Sequence, residues 1–189
     1  MWLGGSLINI LIRGKPRSGK STLIQKLVDL FKRKGKTLGG IYTPEIRERS
    51  RLGFEIVDMM TGERGILAHI NQKEGPKVAS YRVKLEDLNR IGVLGIKRSI
   101  EKNVALIIID EIGKMELVSE EFQETVWDAL NYQKVLGTIG QITHPFVTKV
   151  YQRNDVRVFN LTIQNRELIF NDLKRLFFES FNEFPPGKF

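Results

Sequence analysis

The sequence predicts an α/β protein of three layers, in which helices cover both faces of a mostly parallel central sheet. An apolar run over 7–12 precedes a glycine-rich loop and an amphipathic helix, the order expected of a strand, a turn and a crossover helix. A second run, over 104–109, is continuously apolar, as in a strand buried on both faces of a parallel sheet. From 121 onward, helical and strand patterns alternate, which completes the α/β pattern.

The loop after the first predicted strand carries a phosphate-binding pattern. Gly14, Gly19, Lys20 and Ser21 stand at the spacing Gly-x-x-x-x-Gly-Lys-Ser. Glycines let backbone N–H groups encircle an anion, Lys20 supplies a positive charge for the β- and γ-phosphates, and the Ser21 hydroxyl is a ligand for Mg²⁺. The pattern predicts a nucleotide-phosphate site at Gly14, Lys15, Pro16, Arg17, Ser18, Gly19, Lys20, Ser21 and Thr22.

The loop is predicted to open directly into a helix. Apolar side chains fall on one helical stripe at Leu23, Ile24, Leu27, Val28 and Phe31. Gly35 follows the basic run 32–34 and is a typical helix stop. Because the first N–H groups of a helix are unpaired and its dipole is positive at that end, this placement favours a phosphate.

Between 38 and 84 the pattern changes to short strands separated by Pro, Gly and paired charges. Strands are predicted over 37–42, 54–59, 65–70 and 78–83. We interpret this stretch as an antiparallel patch inserted after the second strand, followed by helices over 85–102. Its arginines are a candidate lid over the phosphates, although a solvated face is the commoner role: Arg47, Arg49, Arg51 and Arg64.

Two acidic residues follow the apolar run over 104–109. Asp110 and Glu111 stand at its carboxyl end, where ligands bind in open α/β sheets. Asp110 is therefore the predicted Mg²⁺ residue opposite Ser21. Glu111 is suited to orient or deprotonate an attacking water, which favours hydrolysis. The stretch 110–113 also fits the Asp-x-x-Gly pattern of GTPase switches, in which the glycine N–H senses the γ-phosphate.

The remaining chain continues the alternation. Helices are predicted over 121–131 and 145–151, and strands over 134–139 and 156–161. A last helix carries apolar side chains on one side: Leu168, Ile169, Leu173, Leu176, Phe177 and Phe181. The tail 182–189 contains Pro185-Pro186-Gly187, cannot continue a helix and is predicted to fray.

Composition limits the other possibilities. The 189 residues, 41% hydrophobic and 28% charged, suit one domain over 1–189 with a sizeable core. The absence of cysteine excludes disulfides and thiolate metal sites, and two distant histidines do not suggest zinc. The net charge of +8 is dispersed among mixed pairs, so we expect no dedicated nucleic-acid binding.

The sequence also bears on location. The apolar runs are far shorter than the roughly 20 residues of a membrane span, and the N-terminus lacks the pattern of a secretion signal. We therefore expect a cytoplasmic protein that does not engage a membrane. A monomer is the default expectation.

With these residues in hand, the chain resembles the small P-loop nucleoside-triphosphatases of archaea and bacteria, which are related to the eukaryotic cancer-related nucleoside triphosphatase. The resemblance covers about 7–178. Its most specific part is the string Asp-Glu-Ile-Gly-Lys-Met-Glu over 110–116. Other matching segments are 14–21, 39–47, 53–58, 61–63, 144–146 and 165–166.

The resemblance implies a P-loop NTPase fold, RecA-like or kinase-like, and Mg²⁺-dependent hydrolysis of nucleoside triphosphates to diphosphate and phosphate. It also implies broad base tolerance, for ATP, GTP, CTP and UTP. Carried over by position, it makes Glu111 the catalytic acid and adds nucleotide contacts from a second segment. We assign catalysis to Lys20 and Glu111, and the added contacts are Leu106, Ile107, Ile108, Ile109, Asp110, Glu111, Ile112 and Gly113.

Arg17 departs from the family's pattern, which usually has glycine at this position. If the position requires a positive φ, an arginine there costs free energy or changes the shape of the loop. Alternatively, Arg17 places a cation beside the phosphates. Exchange for glycine separates the two interpretations, because relief of strain favours faster turnover and loss of the charge favours slower turnover.

Base recognition is poorly specified by the sequence. The segment Asn71-Gln72-Lys73-Glu74 has the wrong spacing for the guanine-reading Asn-Lys-x-Asp motif, which disfavours a dedicated GTPase. Asn165 and Arg166, which follow a late strand, are candidates to flank the base, but Asn165 is equally suited to cap the last helix.

Two alternatives to hydrolysis also remain: a kinase whose acceptor binds at the antiparallel patch, and a nucleotide-loaded regulator or nucleic-acid-stimulated ATPase.

Overall fold

A mixed sheet of ten strands runs through the computed structural model, which describes residues 9–178. The strands are β1 (Asn9–Gly14), β2 (Leu38–Tyr42), β3 (Glu45–Arg47), β4 (Arg51–Asp58), β5 (Arg64–His69), β6 (Lys77–Val78), β7 (Tyr81–Val83), β8 (Leu106–Ile112), β9 (Val135–Ile139) and β10 (Val156–Leu161). The strand order is β10-β1-β9-β8-β2-β4-β5-β7-β6, with β3 paired to β4.

The sheet has a parallel part and an antiparallel part. Strands β10, β1, β9, β8 and β2 pair in parallel, whereas β3 to β7 form antiparallel pairs. Strand β2 joins the two parts, because it pairs in parallel with β8 and antiparallel with β4. The predicted α/β class is thus confirmed, but the predicted insert began too early: β2 belongs to the parallel core.

Helices cover both faces of the sheet, as predicted. They are α1 (Lys20–Arg33), α2 (Leu85–Asp87), α3 (Leu94–Glu101), α4 (Glu120–Asn131), α5 (Pro145–Tyr151) and α6 (Arg166–Phe178), with a π-helical turn over Leu88–Val93 and a 3₁₀ turn over Glu116–Val118. Side chains of α1 and α6 share one buried cluster, and those of α3, α4 and α5 share the other. No helix within 9–178 is long and apolar enough to cross a membrane.

Helix ends follow from local chemistry. Helix α1 begins after Gly19, whose φ is 97°, and its last turn carries Lys32 and Arg33, which complement the helix dipole. The Ser119 hydroxyl caps α4 by accepting a hydrogen bond from the Phe122 N–H at 3.1 Å. The phosphate loop therefore lies, as predicted, between the end of β1 and the N-terminus of α1.

Three segments differ from the sequence expectations. Strand β3 was not predicted, and the predicted strand over 78–83 is a hairpin of β6 and β7, with Ala79 in its turn at φ 52°. Strand β8 continues through Asp110 and Glu111 to Ile112, although its pairing with β9 becomes irregular between Ile109 and Ile112. The tail 182–189, Phe181 and residues 7–8 of the first predicted strand lie outside the described residues.

Gly40 sets how closely β2 approaches β8. Its φ is 98°, its N–H donates to the Ser99 Oγ at 2.7 Å, and a Cβ there would overlap the Ile108 carbonyl oxygen. We expect Gly40→Ala to lower the free energy of unfolding by about 3 kcal/mol, because neighbouring backbone cannot yield easily. Urea titration measures this change.

The matched control is Gly35→Ala. Gly35 also has a positive φ, 66°, but nothing among the described residues lies within 4 Å of its added Cβ. Its cost should therefore be only about 1 kcal/mol, the backbone penalty alone. Equal losses in the two variants would contradict the role given to the close approach at Gly40.

Candidate functional site

The phosphate loop is shaped by backbone geometry and by Lys20. Gly19 adopts a left-handed conformation immediately before α1. The Lys20 ammonium donates a hydrogen bond to the Gly14 carbonyl oxygen at 3.1 Å, so the side chain folds back to the start of the loop. The positive end of α1 and the Lys20 cation thus face the same loop, which is the arrangement an anion requires.

Arg166 braces this loop from α6. Its Nε donates to the Ser18 carbonyl at 2.7 Å and its Nη2 to the Arg17 carbonyl at 3.4 Å. A Cβ at Gly19 would lie 2.9 Å from the Arg166 Nε, so the brace requires glycine at that position. The Arg166 guanidinium thus bonds to carbonyl oxygens of the loop. These oxygens carry partial negative charge and so do not themselves bind an anion.

Asn165 organises the connection before α6. Its Nδ2 donates to the Asn160 carbonyl at 2.9 Å, and its Oδ1 accepts from the Thr162 N–H at 2.8 Å. Although Asn165 directly precedes α6, its side chain therefore bonds backward along the chain instead of capping the helix. A contact of Asn165 or Arg166 with a base stays a prediction.

Asp110 lies at the junction of α1, β8 and β9. Asp110 is 7% exposed, and its carboxylate accepts a hydrogen bond from the Thr138 hydroxyl at 2.6 Å. Burial raises the pKa of Asp110, while the hydroxyls of Thr138 and of the nearby Ser21 and the Lys20 charge oppose the rise. The structure thus brings Asp110 and Ser21 together, as their predicted shared role requires.

Glu111 lies beside Asp110 on the irregular end of β8. Burial raises the pKa of its carboxyl group, Lys20 lowers it and the neighbouring Asp110 raises it. Two glycines adjoin the side chain: a Cβ built on Gly113 would lie 3.5 Å from the Glu111 Cδ, and one built on Gly140 would lie 3.4 Å from its Oε1, both ordinary van der Waals contacts. A weakly solvated carboxylate of this kind is suited to accept a proton.

A third acidic side chain, that of Glu116, completes the cluster. It is 5% exposed, and its Oε2 accepts a hydrogen bond from the Gly113 N–H at 3.1 Å. Burial raises the pKa of Glu116 to about 8, and the Glu111 charge adds to the rise. Glu116 is therefore a neutral acid at pH 7. In this structure the Gly113 N–H, which the Asp-x-x-Gly pattern offered to a phosphate, donates to Glu116 instead.

A cleft of about 1080 Å³ opens above the loop, between α1, α6 and the sheet. Of the predicted site residues, those that line it are Arg17, Gly19, Lys20, Ser21, Thr22, Ile108, Asp110 and Arg166. The side chains of Leu106, Ile107, Ile109 and Ile112 are instead buried in the hydrophobic core. Glu111 and Gly113 are not among the residues that line the cleft.

The insert supplies part of the opposite wall. Tyr42, Thr43, Glu45 and Arg47 line the cleft, and the Thr43 hydroxyl donates to the Asp110 carbonyl at 2.9 Å. Arg47 forms an ion pair with Glu45. The other candidate lid residues are not among the cleft residues: Arg51 also pairs with Glu45, Arg64 pairs with Glu55, and Arg49 is exposed.

Sequence reasoning missed three contributors to this site. Thr43 and Thr138 both bond to Asp110, and Glu116 bonds to Gly113. A threonine inside a run of buried strand residues was the available signal for Thr138. For Glu116, the signal was its place in the string over 110–116, although that string assigns no role to its members.

The side chains of Ser21 and Asp110 offer a donor set suited to Mg²⁺. A serine hydroxyl and a carboxylate are hard oxygen ligands, which Mg²⁺ prefers, usually alongside phosphate oxygens and water. The two side chains lie close to each other and both line the cleft, so both can reach one cation. The residues present therefore fit the ion.

Comparisons with known proteins agree with this geometry. A family model described as NTPase matches residues 9–174. Over 168 residues the chain is 43% identical to nucleoside-triphosphatase THEP1 of Thermotoga maritima, covering 88% of this chain and 93% of the relative. The crystal structure of THEP1 from the hyperthermophile Aquifex aeolicus superimposes with a TM-score of 0.78 at 30% identity, covering 89% of this chain and 98% of that one.

A second solved structure comes from a distant organism. The solution structure of a human cancer-related nucleoside triphosphatase gives a TM-score of 0.75 at 31% identity. The match covers 92% of this chain and 98% of the human protein. The three-layer fold is thus shared with two solved nucleoside-triphosphatase structures.

Arg17 adopts φ 63°, the left-handed conformation that side chains disfavour. We expect Arg17→Gly to raise the free energy of unfolding by about 1 kcal/mol, measured by urea titration.

Arg17→Ala is the matched control, since it removes the charge but keeps the strain. Turnover that rises only in the glycine variant indicates strain, and turnover that falls in both indicates a role for the charge. An unchanged stability of Arg17→Gly would contradict the strain.

Glu116 predicts a pH dependence of stability. Its folded-state pKa of about 8 exceeds the ordinary 4.5, so the folded protein binds one proton more than the unfolded chain between these values. Its contribution to stability is complete below about pH 4.5 and is lost as pH rises through 8, at up to about 1.4 kcal/mol per pH unit. The Glu116→Gln variant has no group that titrates at this position. As pH rises from 5 to 8, its free energy of unfolding should therefore increase relative to that of the wild type. If the free energies of unfolding of the two proteins depend on pH in the same way, the raised pKa of Glu116 is refuted.

Proposed function

This chain belongs to the NTPase family, and on that premise we propose that it is a Mg²⁺-dependent nucleoside-triphosphatase that accepts several bases. Hydrolysis of nucleoside triphosphates is the activity named for its relatives. The observation that carries the proposal is the approach of the Ser21 hydroxyl and the Lys20 ammonium to the buried Asp110 carboxylate, which Thr138 holds, with Glu111 next to it in the chain. Dependence on Mg²⁺ and breadth of base use are the proposed refinements.

The proposed roles follow from the position of each group. The loop amides and Lys20 bind the β- and γ-phosphates, and Lys20 leaves the Gly14 carbonyl to do so. Ser21 and Asp110 hold Mg²⁺, and Thr138 orients the Asp110 carboxylate. When bound, the ion neutralises charge that develops on the phosphate oxygens. Glu111 accepts a proton from the attacking water. We assign it this role because Asp110 and Glu116 each accept a hydrogen bond from the protein, whereas the Glu111 carboxylate accepts none from residues 9–178.

Breadth of base use is supported by the residues near the expected base position. Asn165 is engaged by Asn160 and Thr162, and Arg166 by the loop carbonyls. Each side chain thus has hydrogen-bonding groups engaged by the protein itself. Binding that depends on phosphates discriminates little between bases. Cytoplasmic location, a monomeric state and the lack of dedicated nucleic-acid binding stay predictions.

The decisive test is phosphate release from ATP, GTP, CTP and UTP with and without Mg²⁺. We expect Lys20→Ala to lose nucleotide binding and Glu111→Gln to bind nucleotide but turn over about 100- to 10,000-fold more slowly. Glu121→Gln is the matched control, because Glu121 is an exposed glutamate paired with Lys97, and its activity should equal that of the wild type.

Other outcomes would each reject a definite part of the proposal. Equal rates with a chelator and with Mg²⁺ would reject the metal dependence. Release from only one nucleotide would reject broad base use. Tight binding without release, followed by phosphate transfer to an added alcohol or amine, would favour the kinase alternative, and stimulation by RNA or DNA at low salt would favour a nucleic-acid-dependent ATPase.

A further inference from the structure

The end of β8 needs support from outside the sheet. Its pairing with β9 is regular up to Ile109 and resumes only at Ile112, so the ladder on that side does not hold Asp110 and Glu111. Asp110 is held by the Thr138 hydroxyl at its carboxylate and by the Thr43 hydroxyl at its carbonyl. Of the two acids Asp110 and Glu111, it is Glu111 whose side chain forms no such hydrogen bond among residues 9–178.

The backbone just after Glu111 is anchored at three points. The Ile112 carbonyl accepts from the Gly140 N–H at 3.0 Å, and the Gly113 carbonyl accepts from the Leu117 N–H at 3.0 Å. The third anchor is a side chain: the Glu116 carboxyl group accepts from the Gly113 N–H. Glu116 therefore fixes the direction in which the chain leaves Glu111.

The two acidic side chains also touch the same small space. A Cβ built on Gly113 would lie 2.9 Å from the Glu116 Oε2 and 3.5 Å from the Glu111 Cδ. Glu116 is fully enclosed by the 3₁₀ turn, the end of β8 and α4, whereas Glu111 is only partly buried. One wall of the space that holds the Glu111 carboxylate is thus formed by Gly113 in the position that Glu116 imposes.

We propose that Glu116 is a positioning residue for hydrolysis, which holds the Gly113 amide and thereby keeps the Glu111 carboxylate aimed at the attacking water. This inference rests on the proposed function of Glu111. Glu116 acts as a hydrogen-bonding group rather than as a charge, because burial raises the pKa of its carboxyl group to about 8. Glutamine, whose amide oxygen can accept the same N–H, is therefore expected to replace it.

A positioning role has a kinetic signature that a purely structural role lacks. Loss of Glu116 should lower kcat, since displacement of a catalytic group by about 1 Å costs on the order of 100-fold. KM should hold, because the loop, Lys20 and Ser21 are not touched by the change. The loss should also vanish when the Glu111 carboxylate is already gone, since Glu116 acts through it.

The experiment compares the steady-state kinetics of five proteins: the wild type, Glu116→Ala, Glu116→Gln, Glu111→Gln and the double variant Glu111→Gln/Glu116→Ala. We expect Glu116→Ala to lower kcat about 10- to 100-fold with KM within about twofold of the wild type. Glu116→Gln should stay within about threefold, and the double variant within about twofold of Glu111→Gln. Circular dichroism and thermal melts confirm folding.

Controls keep the proposal falsifiable. Thr125→Val removes a hydroxyl that is equally buried, on α4 and outside the site, and should leave kcat unchanged. If Glu116→Ala does not fold, Gly113→Ala replaces it, because the added methyl would displace the Glu116 carboxyl group from the amide. The same loss of kcat is then expected.

The outcomes separate the two proposals. A glutamine variant as slow as the alanine variant, a change confined to KM, or full additivity in the double variant would each overturn the positioning role while Glu111 keeps its own. A Glu111→Gln protein with undiminished turnover would instead overturn the role of Glu111, and with it any action of Glu116 through that side chain.

Discussion

The close approach of the Ser21 hydroxyl to the Asp110 carboxylate joins two parts of the site that are far apart in the chain. Ser21 comes from the first turn of α1, and Asp110 from β8, which is separated from β1 by β9. Thr138, on that intervening strand, holds the same carboxylate from the other side. The parallel order of these strands brings their carboxyl ends to one edge, and the site depends on this order.

Burial then determines what each acid of the cluster can do. Burial raises the pKa of Asp110, Glu111 and Glu116; the Asp110 charge adds to the rise at Glu111, both charges add to it at Glu116, and Lys20 opposes it at Asp110 and Glu111. Three buried carboxylates would repel one another, so one of them is best kept protonated. Glu116 is the most enclosed of the three and its pKa is not lowered by Lys20, so it is the acid whose neutral form the fold favours most.

The sequence predicted those parts of the structure that repeat a strong local pattern. The loop between β1 and α1, the apolar strand β8 and the alternating elements after 121 each carry many residues of one periodicity. Strands β3, β6 and β7 were missed or merged because segments of two or three residues are too short to show a period. The roles of Thr43 and Thr138 were missed for a different reason: each depends on a contact with Asp110 from a segment distant in the chain, which spacing does not encode. Glu116 bonds to Gly113, only three residues away, but its burial depends on the fold around it.

Strand β2 explains how the antiparallel insert and the site depend on each other. Its Gly40 N–H is held by Ser99 of α3, its Ile41 and Tyr42 pair with β4, and Thr43 at its end donates to the Asp110 carbonyl. Asp58, at the end of β4, is buried and forms an ion pair with Arg98 of α3. Since α3, β4 and β2 form one packed unit, a shift of the insert moves Thr43 and so the backbone of Asp110. The insert therefore contributes to the geometry of the site as well as to the wall of the cleft.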